Sequence, residues 1–104
     1  MKTEITVNTD AMEISLNGRL DSTTAPELER EVNSRLEGIA NLTLDFTQLN
    51  YIASAGLRVV LALKKRMNAV EGTMIILNPN ELVTDVFEAT GFADILEIRR
   101  VEGN

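Results

Sequence analysis

One serine stands where a strand-like run gives way to a helix. The stretch is Asn50-Tyr51-Ile52-Ala53-Ser54-Ala55-Gly56-Leu57-Arg58, and Ser54 is the single hydroxyl in its Ala53–Gly56 centre. Four kinds of chemistry are open to a serine in that setting. It could be a helix N-cap, accepting a hydrogen bond from a first-turn N–H, worth about 1 kcal/mol. It could be a nucleophile on a strand-to-helix elbow. Only half of the G-x-S-x-G pattern is present, however, because Ile52 fills the first glycine position. It could help bind an anion at the helix N-terminus, although neither a G-x-x-x-x-G-K-[ST] nor a G-x-G-x-x-G motif accompanies it. Or it could be a regulatory phosphorylation site. A phosphate would add about −1.5 to −2 of charge, which the helix dipole and free N–H groups tolerate. On a contact surface the same charge would repel an acidic partner.

The composition separates these readings. The chain has no histidine, so nothing orthodox deprotonates Ser54, and Lys64 and Lys65 lie two to three turns down the expected helix. With no cysteine either, disulfides, thiolate catalysis and cysteine zinc sites are excluded. The formal charge of −6 argues against binding nucleic acid or an anionic membrane surface. No apolar run reaches a membrane span, and Met1-Lys2-Thr3-Glu4-Ile5 lacks the apolar core of a signal peptide, so a cytoplasmic location is expected. At 104 residues, with 44% hydrophobic and 25% charged, one domain over residues 1–104 is expected.

The elements that must position Ser54 follow from periodicity. Residues 4–7 alternate polar and apolar, as do Met12, Ile14 and Leu16 with their neighbours. Asn8-Thr9-Asp10 supplies a turn, so these form an antiparallel hairpin, bent or ended at Asn17-Gly18. Thr24 with Glu27 fits a capping box, and Leu28, Val32 and Leu36 form a helical stripe closed by Gly38. Residues 41–46 read as a short strand. Residues 55–69 read as a helix with Leu57, Val60, Leu61, Leu63 and Met67 inward, ended by Glu71-Gly72. Met74-Ile75-Ile76-Leu77 is apolar throughout, which predicts a strand covered on both faces. Asn80 or Asn78 caps a further helix with Leu82, Val83, Val86 and Phe87 on one face, stopped by Gly91. Ile95, Leu96 and Ile98 suggest a last short strand, and residues 102–104 a frayed tail. The order, hairpin then alternating helix and strand, predicts a mixed α/β sheet with right-handed crossovers.

Three stretches carry a resemblance: Gly18-Arg19-Leu20-Asp21; Leu44-Asp45-Phe46 leading to Tyr51-Ile52-Ala53-Ser54-Ala55-Gly56-Leu57; and Val86-Phe87-Glu88-Ala89-Thr90-Gly91-Phe92. In order and spacing they resemble the STAS domain over essentially the whole chain, and within it the bacterial anti-sigma factor antagonists of the SpoIIAA and RsbV type. The resemblance implies an α/β STAS fold: a mixed, mostly parallel sheet of four to five strands with an N-terminal β-hairpin and three to four helices. It implies a non-enzymatic protein, without cofactor or metal, that acts by partner switching. The antagonist binds an anti-sigma factor that is a serine kinase of the histidine-kinase-like ATPase fold, and so frees a sigma factor. Phosphorylation of the serine switches it off, and a PP2C-type phosphatase restores it. The phosphoacceptor falls on Ser54. Asp21, Ser54, Ala55, Gly56, Leu57 and Arg58 fall on the partner-binding surface, Asp21 being equally readable as a turn residue that caps backbone amides. The family often has Asp-Ser-[Ser/Thr]-Gly where this chain has Ala53-Ser54-Ala55-Gly56, so the acid before the serine and the second hydroxyl are both missing. An alternative keeps the fold and drops the phosphorylation: a STAS scaffold subunit of another signalling or lipid-transport complex.

Three further features have plain readings. Arg58, Lys64, Lys65 and Arg66 read as a solvated helix face, and Met12, Met67 and Met74 as core. Asp45 reads as a strand-end residue near the Ser54 loop rather than a metal partner of Asp21.

Overall fold

The computed structural model describes residues 1–102. The alternating segments form one sheet, in the order β1 (Lys2–Asn8), β2 (Ala11–Leu20), β3 (Asn41–Ile52), β4 (Thr73–Leu77) and β5 (Glu97–Arg99). β1 and β2 make the expected antiparallel hairpin, and every later pairing is parallel. The crossovers are α1 (Ala25–Asn33), α2 (Ser54–Ala69) and α3 (Glu81–Thr90), the last followed by a short 3₁₀ turn at Phe92–Asp94.

Strand order equals chain order, so every crossover steps the same way. Right-handed crossovers that all step one way lay their helices on one face of the sheet. Burial agrees. The row Ile5, Ile14, Leu44, Ile76 and Ile98 runs through the register across all five strands. Its three central members are fully buried beneath the helices. The next row, Glu4, Ser15, Asp45, Leu77 and Arg99, lies on the opposite face, which no helix covers. This corrects the expectation for residues 74–77. Met74 and Ile76 are buried, whereas Ile75 and Leu77 are only half-buried, shielded by neighbouring strands. An apolar run thus did not mean a two-sided cover.

β3 is twice the expected length. It continues past Phe46 to Ile52 because it carries two extra residues against β2, with register shifts at Ser15/Asn17 and Gly18/Arg19. Each bulge resets the alternation. Phe46, Leu49 and Ile52, spaced by three rather than two, all turn inward and are buried. β2 likewise runs through Asn17-Gly18 instead of ending there, with Gly18 at φ +120° in the irregular stretch. Asp45 is consequently mid-strand on the open face, where its Oδ1 accepts from the Thr47 N–H at 2.9 Å. It is not a strand-end residue near Ser54.

The first helix differs at both ends. Thr24 is the boundary residue but has αR geometry, and its side chain caps nothing, so the Thr24/Glu27 box does not form. Its hydroxyl is engaged instead with the Arg19 carbonyl and the Asp21 N–H. Pro26 sits in the first turn, where a missing N–H loses no helical bond. The helix stops at Asn33 with Ser34 as C-cap. Leu36 is buried from the following turn, and Gly38, at φ +82°, belongs to the link into β3.

α2 buries Gly56, Val59, Val60, Leu63 and Met67; Leu57 and Leu61 are only partly covered. On α3, Val83 and Phe87 are buried, but Leu82 lies a further 100° round the helix and is 50% exposed. Gly91 ends α3 in the left-handed conformation, φ +81°, which a residue without Cβ adopts freely. Ile95 lies outside β5 and is exposed, while Leu96 is buried. Met12, Met67 and Met74 are core residues, as expected. Of the tail, Glu102 is exposed with no regular structure, and residues 103 and 104 lie outside the described residues. No helix among the described residues is long and apolar enough to cross a membrane.

Candidate functional site

The last rung of the β2–β3 ladder builds the site. Leu20 pairs with Ile52, and the Ala53 N–H donates to the Leu20 carbonyl at 2.8 Å. From that rung one strand runs on directly to Asp21 and the other, through Ala53, to Ser54, so two segments distant in sequence leave the carboxyl edge of adjacent parallel strands together. In open α/β sheets ligands bind outside the carboxyl ends of the strands.

Ser54 is the first residue of α2 and not its cap. Ala53 occupies the N-cap position in extended geometry (φ −97°, ψ 174°) and has no side-chain acceptor to offer. The first helical bond, from the Leu57 N–H to the Ala53 carbonyl, is 3.0 Å. The earlier first-turn N–H groups therefore lack a side-chain partner and carry the positive end of the helix dipole. Ser54 is exposed, and its hydroxyl makes no hydrogen bond among the described residues. The N-cap reading is thus overturned, and no hydrogen-bonded base activates the hydroxyl as a nucleophile.

Asp21 is held hard in place. Its Oδ1 accepts from the Thr23 N–H at 3.0 Å and the Thr24 N–H at 3.1 Å. Its own N–H donates to the Thr24 hydroxyl at 2.9 Å, and that hydroxyl donates to the Arg19 carbonyl at 2.8 Å. The Thr24 amide, then the Thr23 amide, with smaller help from the Thr24 hydroxyl and Arg19, hold the carboxyl below its ordinary value. Asp21 is therefore ionised at neutral pH, with Oδ2 left outward at 4.0 Å from the Arg19 guanidinium. The turn-residue role is plain in this geometry, and the same bonds fix a negative charge at the strand edge from which the segment bearing Ser54 also leaves.

Arg19 and Tyr51 had no role in the sequence reading. They are cross-strand partners, and the guanidinium lies 4.4 Å from the ring centroid. A cation over an aromatic face contributes about 0.5–1 kcal/mol at an exposed site. Both lie in stretches that stood out by their motifs, but their pairing depends on the β3 bulges and could not be read without the register. Asn80 braces the same edge from α3. Its Oδ1 caps the helix by accepting from the Val83 N–H at 2.8 Å, and its Nδ2 donates to the Leu49 carbonyl at 3.2 Å.

Gly56 decides how closely α2 meets the strand ends. A Cβ there would stand 2.8 Å from Ile52 Cγ1 and 2.8 Å from Leu20 Cγ, nearer than carbon atoms pack. Overpacking of this kind loses about 1–3 kcal/mol, and replacing glycine in a helix regains up to about 1 kcal/mol. Gly56→Ala is therefore expected to lose about 1–2 kcal/mol, read as a lower urea midpoint at unchanged slope, with Gly56→Val losing more. A stabilised alanine variant would contradict the close packing.

Of the remaining expected site residues, Ala55 and Leu57 are half-buried and Arg58 is exposed. Arg58, Ala55, Val59 and Ala62 face Ala25, Pro26 and Glu29 across a shallow α1–α2 groove of about 410 Å³. A second hollow of about 270 Å³, bounded by Lys2, Glu4, Ser15, Asp45 and Gln48, opens on the uncovered sheet face, away from Ser54. Lys65 and Arg66 are exposed, as a solvated face requires, Lys64 is half-covered, and Arg66 donates to Asn33. Among the described residues no three acidic, histidine or cysteine side chains gather as a metal site would need.

The STAS domain family matches residues 2–104. The chain is 34% identical over 98 residues to the anti-sigma-B factor antagonist of Listeria monocytogenes, covering 92% of this chain and 85% of that protein. Among solved structures, a Thermotoga maritima protein superposes with a TM-score of 0.89 at 20% identity, over 96% of this chain and 86% of its own. The Bacillus cell-fate determinant SpoIIAA in its phosphorylated form gives 0.79 at 21% identity, over 97% and 92%. The family match and the Listeria relative show the family, and the solved structures share its fold: this chain belongs to the STAS domain family, among the anti-sigma factor antagonists.

Proposed function

We propose that this protein binds an anti-sigma factor through the edge formed by Asp21 and the start of α2, and that phosphorylation of Ser54 switches the binding off. The partner is a serine kinase of the histidine-kinase-like ATPase fold, and a PP2C-type phosphatase reverses the modification. One observation carries the reading: the Ser54 hydroxyl is exposed, without an internal hydrogen bond, on the first residue of α2. A free hydroxyl is available to a kinase, and its modification breaks nothing inside the fold. The dipole and first-turn N–H groups offset the added charge locally. The partner surface has no such compensation. Asp21, Ala55, Gly56, Leu57 and Arg58 complete the proposed contact. Ala53 and Ala55 leave Ser54 as the one acceptor in the motif, so a single substitution tests the switch.

The experiment is incubation of the full chain with the anti-sigma factor kinase from the same cell and ATP, followed by intact-mass measurement. One phosphate is expected on wild type and none on Ser54→Ala. An unmodified wild type, or equal modification of both, ends the proposal. A pull-down that recovers membrane-transport components instead of a kinase would favour the scaffold alternative.

A further inference from the structure

Arg58 lies four residues after Ser54, one turn on along the same face of α2. Side chains on a helix lean toward its N-terminus, so a long side chain at this position reaches back over the turn that holds residue 54. An anion placed N-terminal to a cation at this spacing is the favourable order. Both residues are exposed, and neither is committed elsewhere. Among the described residues Arg58 makes no hydrogen bond and no ion pair. The cation that acts on Asp21 is Arg19, which sits over Tyr51. Glu29, across the α1–α2 groove, is not within ion-pair distance of Arg58.

We propose that Arg58 clamps the phosphate of phosphorylated Ser54 within the same molecule, drawing it over α2 and away from Asp21. The inference rests on Ser54 being the phosphoacceptor. A phosphoryl group at Ser54 has Arg58 one turn along its own helix and Asp21 at the end of the adjoining strand. The ionised Asp21 repels it, and Arg58 attracts it with a planar fork of N–H donors that fits phosphate oxygens in pairs. Arg19 is the other cation nearby, but it is held by the Tyr51 ring and the Asp21 carboxylate. Glu29 is the carboxylate across the groove from Arg58, and its position does not occupy the guanidinium.

The clamp changes what phosphorylation does to the surface. An anion appears at residue 54, and at the same moment the cation at residue 58 is neutralised. A partner whose acidic side chain met Arg58 in the unmodified protein loses that contact and gains a repulsion. One modification therefore inverts the charge of the whole outer first turn of α2.

The test installs phosphoserine at position 54 during translation, so that no kinase is needed, and follows the phosphate by ³¹P NMR through a pH titration. Arg58→Gln is expected to raise the second pKa of the phosphate by about half a unit, as loss of a close cation requires. Lys65→Gln, two turns further along the same exposed stripe, is expected to leave it unchanged. In the unphosphorylated protein Arg58→Gln is expected to leave the unfolding midpoint where it was. Equal titration of wild type and Arg58→Gln, or equal shifts in the Arg58 and Lys65 variants, overturns the clamp. Because the phosphoserine is encoded, a wild-type chain that its kinase never modifies sinks the Ser54 reading without touching this result.

Discussion

Ser54→Asp is expected to weaken binding to the anti-sigma factor kinase by about a hundredfold or more, while the folded protein unfolds at the same urea concentration as wild type. The two halves have separate causes. Residue 54 is exposed and its hydroxyl holds no internal bond, so nothing in the fold is lost when it is replaced. A carboxylate in the first turn interacts favourably with the helix dipole by about 0.3–1 kcal/mol. Stability is therefore unchanged or slightly raised. At the interface the balance reverses. A new charge without a partner, forced against another protein, costs several kcal/mol, and about 2.7 kcal/mol already corresponds to a hundredfold in affinity. Asp21 adds to the negative charge of the same strand edge, since its carboxyl is held ionised. Calorimetric titration of the kinase with Ser54→Asp, Ser54→Ala and wild type checks the first half; Ser54→Ala, which adds no charge, is expected to bind nearly as wild type does. Urea unfolding checks the second. Wild-type affinity in Ser54→Asp would remove residue 54 from the contact surface. Loss of folded signal in that variant would mean that the hydroxyl has a structural duty the geometry does not reveal. Aspartate is also a shorter and less charged group than phosphoserine, and it does not reach Arg58 in the same way, so its effect is a lower bound on that of the phosphate.

What periodicity could see, it placed well. The opening hairpin, α2 and α3 follow from alternation or a helical stripe, β4 from an unbroken apolar run, and the glycine stop after α3 from the need for a left-handed residue. The second half of β3 was invisible for a physical reason. Two bulges put Phe46, Leu49 and Ile52 at intervals of three, and a period-2 search stops at the first interruption. The one-sided sheet was missed because Ile75 and Leu77 are apolar yet lie on the open face, where adjacent strands shield them in place of a helix. At the site, Thr24 looked like the cap of α1. Four polar residues in a row competed for the backbone there, and local sequence does not say which carboxylate or hydroxyl wins. Asp21 won two amides, which also fixed its charge. Ser54 was displaced from cap to first helical residue by one position, since Ala53 takes the extended geometry of the cap. That small shift frees the hydroxyl. The meeting of Asp21 with Ser54 is a property of strand register, so it came from the family likeness and not from spacing.

The largest loss of stability is expected from a residue on the strand that ends at the site. Phe46→Ala is expected to lose about 3–5 kcal/mol, a large share of the roughly 5–15 kcal/mol that holds a domain of this size together. Phe46 is fully buried on β3 within the first bulge, and it stacks on fully buried Phe87 of α3, with ring centroids 6.3 Å apart and planes inclined by 25°. The pair fastens α3 to the half of the sheet that carries β3 up to Ile52, and Asn80 fastens the same helix to the Leu49 carbonyl. Truncation leaves a cavity between two rigid elements that cannot close over it, so the lost contacts are added to the lost burial. The expected fall in melting temperature is at least about 12 °C. Phe87→Ala is expected to cost a similar amount, and the double variant less than the sum of the two, because each single change already removes the stack. Additive losses would mean that the two rings are held independently and that α3 is fixed by other contacts. Well below its own midpoint, Phe46→Ala is expected to keep wild-type affinity for the kinase, since the site is defined by the Leu20–Ile52 rung and Gly56 and not by the ring. Affinity that falls while the protein is still fully folded would show that the bulged half of β3 positions Ser54 through Phe46, and that packing and switching are coupled where they are here held to be separable.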